Sequence, residues 1–198
     1  MSGAKPAPEQ VGVGRAALAR LMPALLVVLL ALATHLPGLR NGFVHWDDPA
    51  YVTQNTLIKD SSWRGLLRLW SMPRFMGLYH PVTLSGLWAL HTVFGASAPA
   101  YHASSILLHA FNAWLVVVLV AETCRSRPAA LLAGALFAVH PVQVEAVAWV
   151  SELKTLLSTA LVLVAFCVYM RFGTVSGRLK AALLYAASLV SYVLALLA

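Results

Sequence analysis

With 198 residues, 60% hydrophobic and only 11% charged, the chain has too much apolar side chain and too few charges to be an ordinary water-soluble domain. Its net charge of +7 comes from scattered basic residues, several bordering apolar runs where they would meet lipid phosphates, and this distribution excludes a nucleic-acid surface. The two cysteines, Cys124 and Cys167, lie far apart in or beside apolar runs and define no disulfide framework.

Residues 1–15 read as a polar tail. The first apolar run, 21–36, is extended backwards by 16–19, with Arg20 placed to snorkel toward headgroups. No small-residue cleavage site follows it, since His35-Leu36-Pro37-Gly38 continues into Leu39 and Arg40, so it reads as an uncleaved anchor. Further runs cover 103–121, 129–144, 156–170 and 181–198, each near the ~20 residues a helix needs to cross a bilayer. The pattern predicts an all-α polytopic bundle of about five spans. A shorter run, 81–94, reaches only about 21 Å as helix and is expected to lie along the membrane surface.

Short basic connections set the expected orientation. Lys5, Arg15 and Arg20 precede the first span, Arg125 and Arg127 join the second to the third, and Arg171, Arg178 and Lys180 join the fourth to the fifth. These segments are predicted to be cytoplasmic, with the N-terminus. An external loop, 38–101, and a second external segment, 141–155, then occupy the other side.

The external loop opens with Asn41-Gly42 and reaches adjacent carboxylates at Asp47 and Asp48. Asp48 before Pro49 suits a helix N-cap, whereas Asp47 is left for general-base chemistry or cation binding. Beyond a start signal at Asp60 or Ser61, Trp63, Leu66, Leu67 and Trp70 recur at helical spacing, with Arg64 and Arg68 on another face. That pattern describes an interfacial helix whose Arg64 could grip a lipid-linked phosphate. In the second segment, Pro141 after His140 should break the third span and free backbone groups beside a cavity. Glu145 and Glu152 follow at a spacing of seven, on one face if the helix resumes, with Lys154 next to them. Ionisable groups this near an apolar zone point to function. His45, Asp47, Asp48, His80, His140 and Glu145 offer donors for a divalent cation, but no two have the i, i+4 spacing of a helical metal motif, so no cofactor is assigned. His102 and His109 are expected to hydrogen-bond between helices.

The segments Phe43-Val44-His45-Trp46-Asp47-Asp48, Tyr79-His80-Pro81-Val82-Thr83, YHASSILLHAFNAW and above all HPVQVEAVAWVSELKTLLS resemble the N-terminal membrane region of transmembrane and tetratricopeptide-repeat proteins. These are GT-C type glycosyltransferases akin to the protein O-mannosyltransferases, and the likeness runs from about Gly38 to residue 198, in a bacterial-type form. It implies a partial GT-C fold across 16–198 in an inner membrane or its equivalent, and transfer of a sugar from a polyprenyl-phosphate carrier to an acceptor hydroxyl, on protein, at the non-cytoplasmic face. By position, Asp47 and Asp48 match the family's catalytic acids, with Glu145 in the second external segment as a further catalytic carboxylate. His80, Lys154, Arg64 and His140 are then substrate-binding. Two departures stand out: Glu152-Leu153-Lys154-Thr155 replaces Glu-Arg-Lys-Asp, and Ser105 replaces an asparagine three residues after His102. The family's later spans and helical repeats have no counterpart here, as no period of about 34 residues is present, so a truncated chain is expected. An inactive membrane module is the alternative, and an ion pathway through Glu145, His140 and His109 is disfavoured because the acids gather at one edge.

Overall fold

The computed structural model describes residues 24–72 and 74–198; the predicted tail 1–15 and the opening turns of the first predicted span, 16–23, lie outside them. Among the described residues all regular structure is helical apart from one isolated bridge between Phe75 and Leu78. Helix α1 (Ala24–Arg40) ends in a 3-10 turn, Leu36–Arg40. After a π-helical turn at Pro49–Thr53 come α2 (Thr56–Lys59), α3 (Trp63–Ser71), α4 (Pro81–Phe94), α5 (Ala98–Cys124), α6 (Arg127–Val139), α7 (Gln143–Ala148), α8 (Leu153–Phe172) and α9 (Arg178–Leu196).

Helices α5, α8 with the 3-10 turn before it, and α9 are each long and apolar enough to cross a bilayer. Among the described residues, the expected five spans divide into three helices of full length, the shorter α6, and α1, of which Ala24–Arg40 is described. With 13 residues, α6 rises only about 20 Å. It stops where the sequence said it would, at the His140-Pro141 break, because proline cannot donate the next helical hydrogen bond and crowds the preceding turn.

Small residues allow the helices to approach. Ala31, Ala113 and Ala138 are completely buried where α1, α5 and α6 meet. A β-carbon on Gly134 of α6 would run into Val117 of α5 and come within 3.2 Å of Val27 of α1. Close contact of this kind drives association where lipid is as apolar as leucine. Helices α8 and α9 pair through Ser188, whose hydroxyl donates to the Ala165 carbonyl at 2.9 Å.

Residues 41–97 and 140–152 gather at one end of the bundle, here termed the loop end. Helix α4 has the ends expected from sequence: Pro81 begins it, and Gly95, at φ +60, closes it. Its first free donors find the end of α9, with the Val82 amide donating to the Leu197 carbonyl (3.1 Å) and the Thr83 hydroxyl to Ala198 (2.7 Å). Ser62, one residue past the predicted start, caps α3 by accepting from the Gly65 amide at 3.1 Å. Gly65 lies so close to the Asp60 carbonyl that no β-carbon fits there, and with Leu69 it forms the face of α3 turned to the protein. Trp63 and Leu67 point outward, as an interfacial helix requires, while the partly exposed Trp70 donates its indole N–H to Ser85 of α4 at 3.0 Å.

Gly134→Leu should force α1 and α5 off α6 and destabilise the chain by about 1–3 kcal/mol, the usual cost of overpacking. Thermal unfolding in detergent would show a lowered midpoint, and an unchanged midpoint would mean that α6 packs elsewhere.

Candidate active site

The site begins with Asp48. It was expected to cap the turn at Pro49, but its side chain makes no cap bond there. Completely buried, the carboxylate instead accepts the Val44 amide on one oxygen (2.8 Å) and the Ser151 amide on the other (3.0 Å). Ser151 lies 103 residues further along the chain, so one side chain joins the first loop to the turn ahead of α8. Its proline neighbour explains the correction: the turn needs one donor fewer at its start, and the carboxylate is free to serve more distant amides.

Fixing these two segments brings Tyr51, His80, Glu152 and Lys154 together. Lys154 pairs with Glu152 at 2.8 Å, and its ammonium lies over the Tyr51 ring, 5.5 Å from the centroid. Glu152 also accepts from the Thr155 hydroxyl at 2.6 Å, so the threonine that replaces an aspartate in the motif holds the ion pair rather than opposing it. Tyr51 stacks on His80 with centroids 5.7 Å apart, and Phe75 packs edge-on against both rings. Phe75 is presented by a two-residue turn in which Met76 and Gly77 both take positive φ (+51 and +84), the form that suits a tight hairpin.

Asp47 is half-buried beside this group. Burial raises the Tyr51 hydroxyl above its ordinary range; Lys154 pulls it down, while Asp47 and Glu152 push it up. His80 is 5% exposed, and both ring nitrogens are without hydrogen-bond partners among the described residues. Burial first, and then the charge of Lys154, depress its pKa, so the imidazole is neutral at pH 7.

The remaining predicted residues stand apart. Glu145 and Glu152 do not share a helical face, because α7 ends at Ala148 and a 3-10 turn, Val150–Glu152, intervenes. Glu145 is exposed and makes no side-chain bond among the described residues, while exposed His140 uses Nδ1 to accept the Val142 amide at 3.2 Å. Arg64 is exposed on α3 without an ion-pair partner among the described residues, whereas Arg68 faces Asp60 at 3.5 Å. Ser62 donates twice to Asp60 and holds that carboxyl below its usual range. No group of three or more His, Cys, Asp or Glu among the described residues is arranged to hold a metal ion. Asp48, with both oxygens engaged, does not fit as a ligand. Tyr51 was missed from sequence, although an aromatic three residues after the acid pair was the available signal. His109 bridges helices as expected, facing the Ala138 carbonyl of α6 at 3.1 Å, whereas His102 faces the carbonyl of Gly42, in the first loop and not in a helix, at 3.2 Å.

Fold and cluster together define an integral, all-helical membrane protein with an acid–base group at one end of its bundle. The chain is similar to the protein O-mannosyl-transferase Tmtc1 of Drosophila melanogaster, at 31% identity over 148 residues, which is 72% of this chain and 17% of that relative. It thus spans about a sixth of that relative's length. No family model and no solved structure matches it.

Asp48→Asn keeps the size but turns an amide donor toward a main-chain N–H, and should cost about 2–3 kcal/mol, the range for charge-assisted bonds in buried sites. Limited proteolysis would detect the loosened 41–55 loop; equal resistance in the variant would refute the bridging role. His80 gives a pH signature. Its folded pKa lies below the ordinary 6.5, so its contribution is complete above that value and is lost as pH falls through the folded pKa. His80→Phe should flatten that acid-side loss in a thermal melt series, and an unaltered pH profile would show that other groups cause it.

Proposed function

We propose that the chain is the catalytic N-terminal part of a membrane glycosyltransferase that moves a sugar from a polyprenyl-phosphate carrier to a hydroxyl, on protein, at the non-cytoplasmic face. The observation that carries this reading is the convergence of Asp47, Tyr51, His80 and the Lys154–Glu152 pair at the loop end, in a chain similar to a protein O-mannosyl-transferase. The far end of the bundle supports the orientation. There Arg125 and Arg127 join α5 to α6, and Arg171, Arg178 and Lys180 flank the turn between α8 and α9, as the positive-inside rule requires of cytoplasmic connections.

In this proposal Asp47 is the general base. It takes the proton of the acceptor hydroxyl as that oxygen bonds to the anomeric carbon. The bond from that carbon to the carrier's phosphate oxygen breaks, and the phosphate leaves with the electron pair. Lys154, steadied by Glu152 and Tyr51, offsets the charge that builds on the phosphate. Asp48 positions the loop and does not meet the reactants. Neutral His80, whose nitrogens are unengaged, is available to hydrogen-bond the sugar. Arg64, exposed beside the outward-facing Trp63, is suited to a carrier phosphate approaching along the membrane surface. Glu145 and His140 take no part in the step.

Transfer of labelled sugar from polyprenyl-phosphate donors to membrane protein tests the reading, using the chain alone and within any longer reading frame that continues it. Asp47→Asn should lower turnover at least about 100-fold while donor binding is kept, the range for loss of a positioned base. Full activity in Asp47→Asn would remove the proposed base, and no transfer by any well-folded form would favour an inactive module.

A further inference from the structure

A cavity lies at the far end of the bundle, away from the site above. It has a volume of about 530 Å³, inside the range of roughly 300–1,000 Å³ common for small-molecule sites, and it opens between α1, α5, α6 and α8. Its walls are of two kinds. Trp114, Val117, Val118 and Leu131 make a continuous apolar side that runs along the helices, and Arg125, Arg127, Arg171 and Glu122 form the rim.

The rim charges do not cancel. Glu122 is committed to Arg171, one carboxylate oxygen accepting from both Nε (3.0 Å) and Nη2 (2.7 Å) of that guanidinium. Arg125 and Arg127, both exposed, have no ion pair among the described residues. Among the described residues, two positive charges therefore face the mouth of an apolar groove without a counter-charge.

The backbone at Arg125 adds a separate observation. It closes α5 in the left-handed region, at φ +51 and ψ +25. Glycine takes that conformation without steric cost, whereas a side chain there costs on the order of 1 kcal/mol. The turn is thus built with a charged residue at the position where an uncharged glycine would fold better, and the side chain it carries stands on the rim of the cavity.

We infer that this cavity binds an anionic phospholipid of the surrounding membrane, its phosphate between Arg125 and Arg127 and the start of an acyl chain against Val117, Val118 and Leu131. A phosphodiester supplies the missing negative charge, and its hydrocarbon tail matches the apolar wall. A free anion would satisfy the arginines and leave that wall bare. Basic pockets between membrane helices bind such headgroups by the same pairing of charge and groove.

Native mass spectrometry of the full chain in detergent, titrated with phosphatidylglycerol, phosphatidylcholine or inorganic phosphate, tests the assignment. Phosphatidylglycerol should be retained in preference to phosphatidylcholine, and millimolar phosphate should not displace it. Arg125→Gly should weaken phosphatidylglycerol binding about fivefold while the thermal midpoint stays level or rises. With Arg127→Gln added, the loss should reach about 25-fold, in keeping with the usual contribution of a basic side chain at an anionic membrane surface. Because glycine suits the turn, weaker binding cannot be put down to a damaged fold. Equal retention of the two lipids, undiminished binding by the double variant, or displacement by phosphate alone would each overturn the proposal.

Discussion

Everything at the loop end depends on the buried Asp48 carboxylate. A charge taken out of water is costly unless it is fully hydrogen-bonded, and here the two main-chain amides that satisfy it come from segments far apart in the chain. The penalty for an unsatisfied carboxylate is what makes the link specific, because only one arrangement of the two loops serves both oxygens. Tyr51 lies three residues after Asp48 and Lys154 three after Ser151, so that arrangement also fixes the distance between the aromatic ring and the ammonium. The adjacent acids thus divide the work, Asp48 locking the backbone and Asp47 remaining half-exposed.

Below the site, α5 carries a line of buried polar groups, His102, Ser105, His109 and Asn112, on one face. Each is spaced three or four residues from the next, and three of them reach carbonyls on other segments: Gly42, Ala138 and, for Asn112, Leu156 at 3.0 Å. Helix α5 therefore acts as the spine to which the first loop, α6 and α8 are attached. His35 of α1 joins it by an edge-on contact with His109 at 4.8 Å. In an apolar surrounding such bonds set helix register, which uniform aliphatic packing leaves loose.

Much of the fold was legible because apolar runs and helix-ending residues are local signals. The run at 81–94 appears as α4 with the same ends, since proline and glycine mark them chemically, and the break at His140-Pro141 follows from proline's missing donor. Helix α5 is longer than its apolar run because its first turn, with Tyr101 and His102, is buried, which hydropathy does not register. The acid pair and Lys154 were legible as candidates, but the roles within the pair were not, for they rest on a contact between residues 103 positions apart. Glu145 and Arg64 drew attention as charges near apolar sequence, and neither is tied to the cluster by a bond. The Tyr51–His80 stack needed a tight turn at Met76-Gly77 that only the backbone reveals.

The shortness of α6 has a consequence for depth. A rod of about 20 Å cannot reach both surfaces of a hydrocarbon layer about 30 Å thick, so either the layer pinches around it or one of its ends is submerged. The end nearer the acid–base cluster is the one followed by a broken, polar stretch of chain, which can bring water down with it. Submersion there would sink the clustered Asp47, Tyr51, His80 and Lys154 beneath the plane of the headgroups. A reactant tethered to a hydrocarbon tail could then be met within its own leaflet, without being lifted out of it.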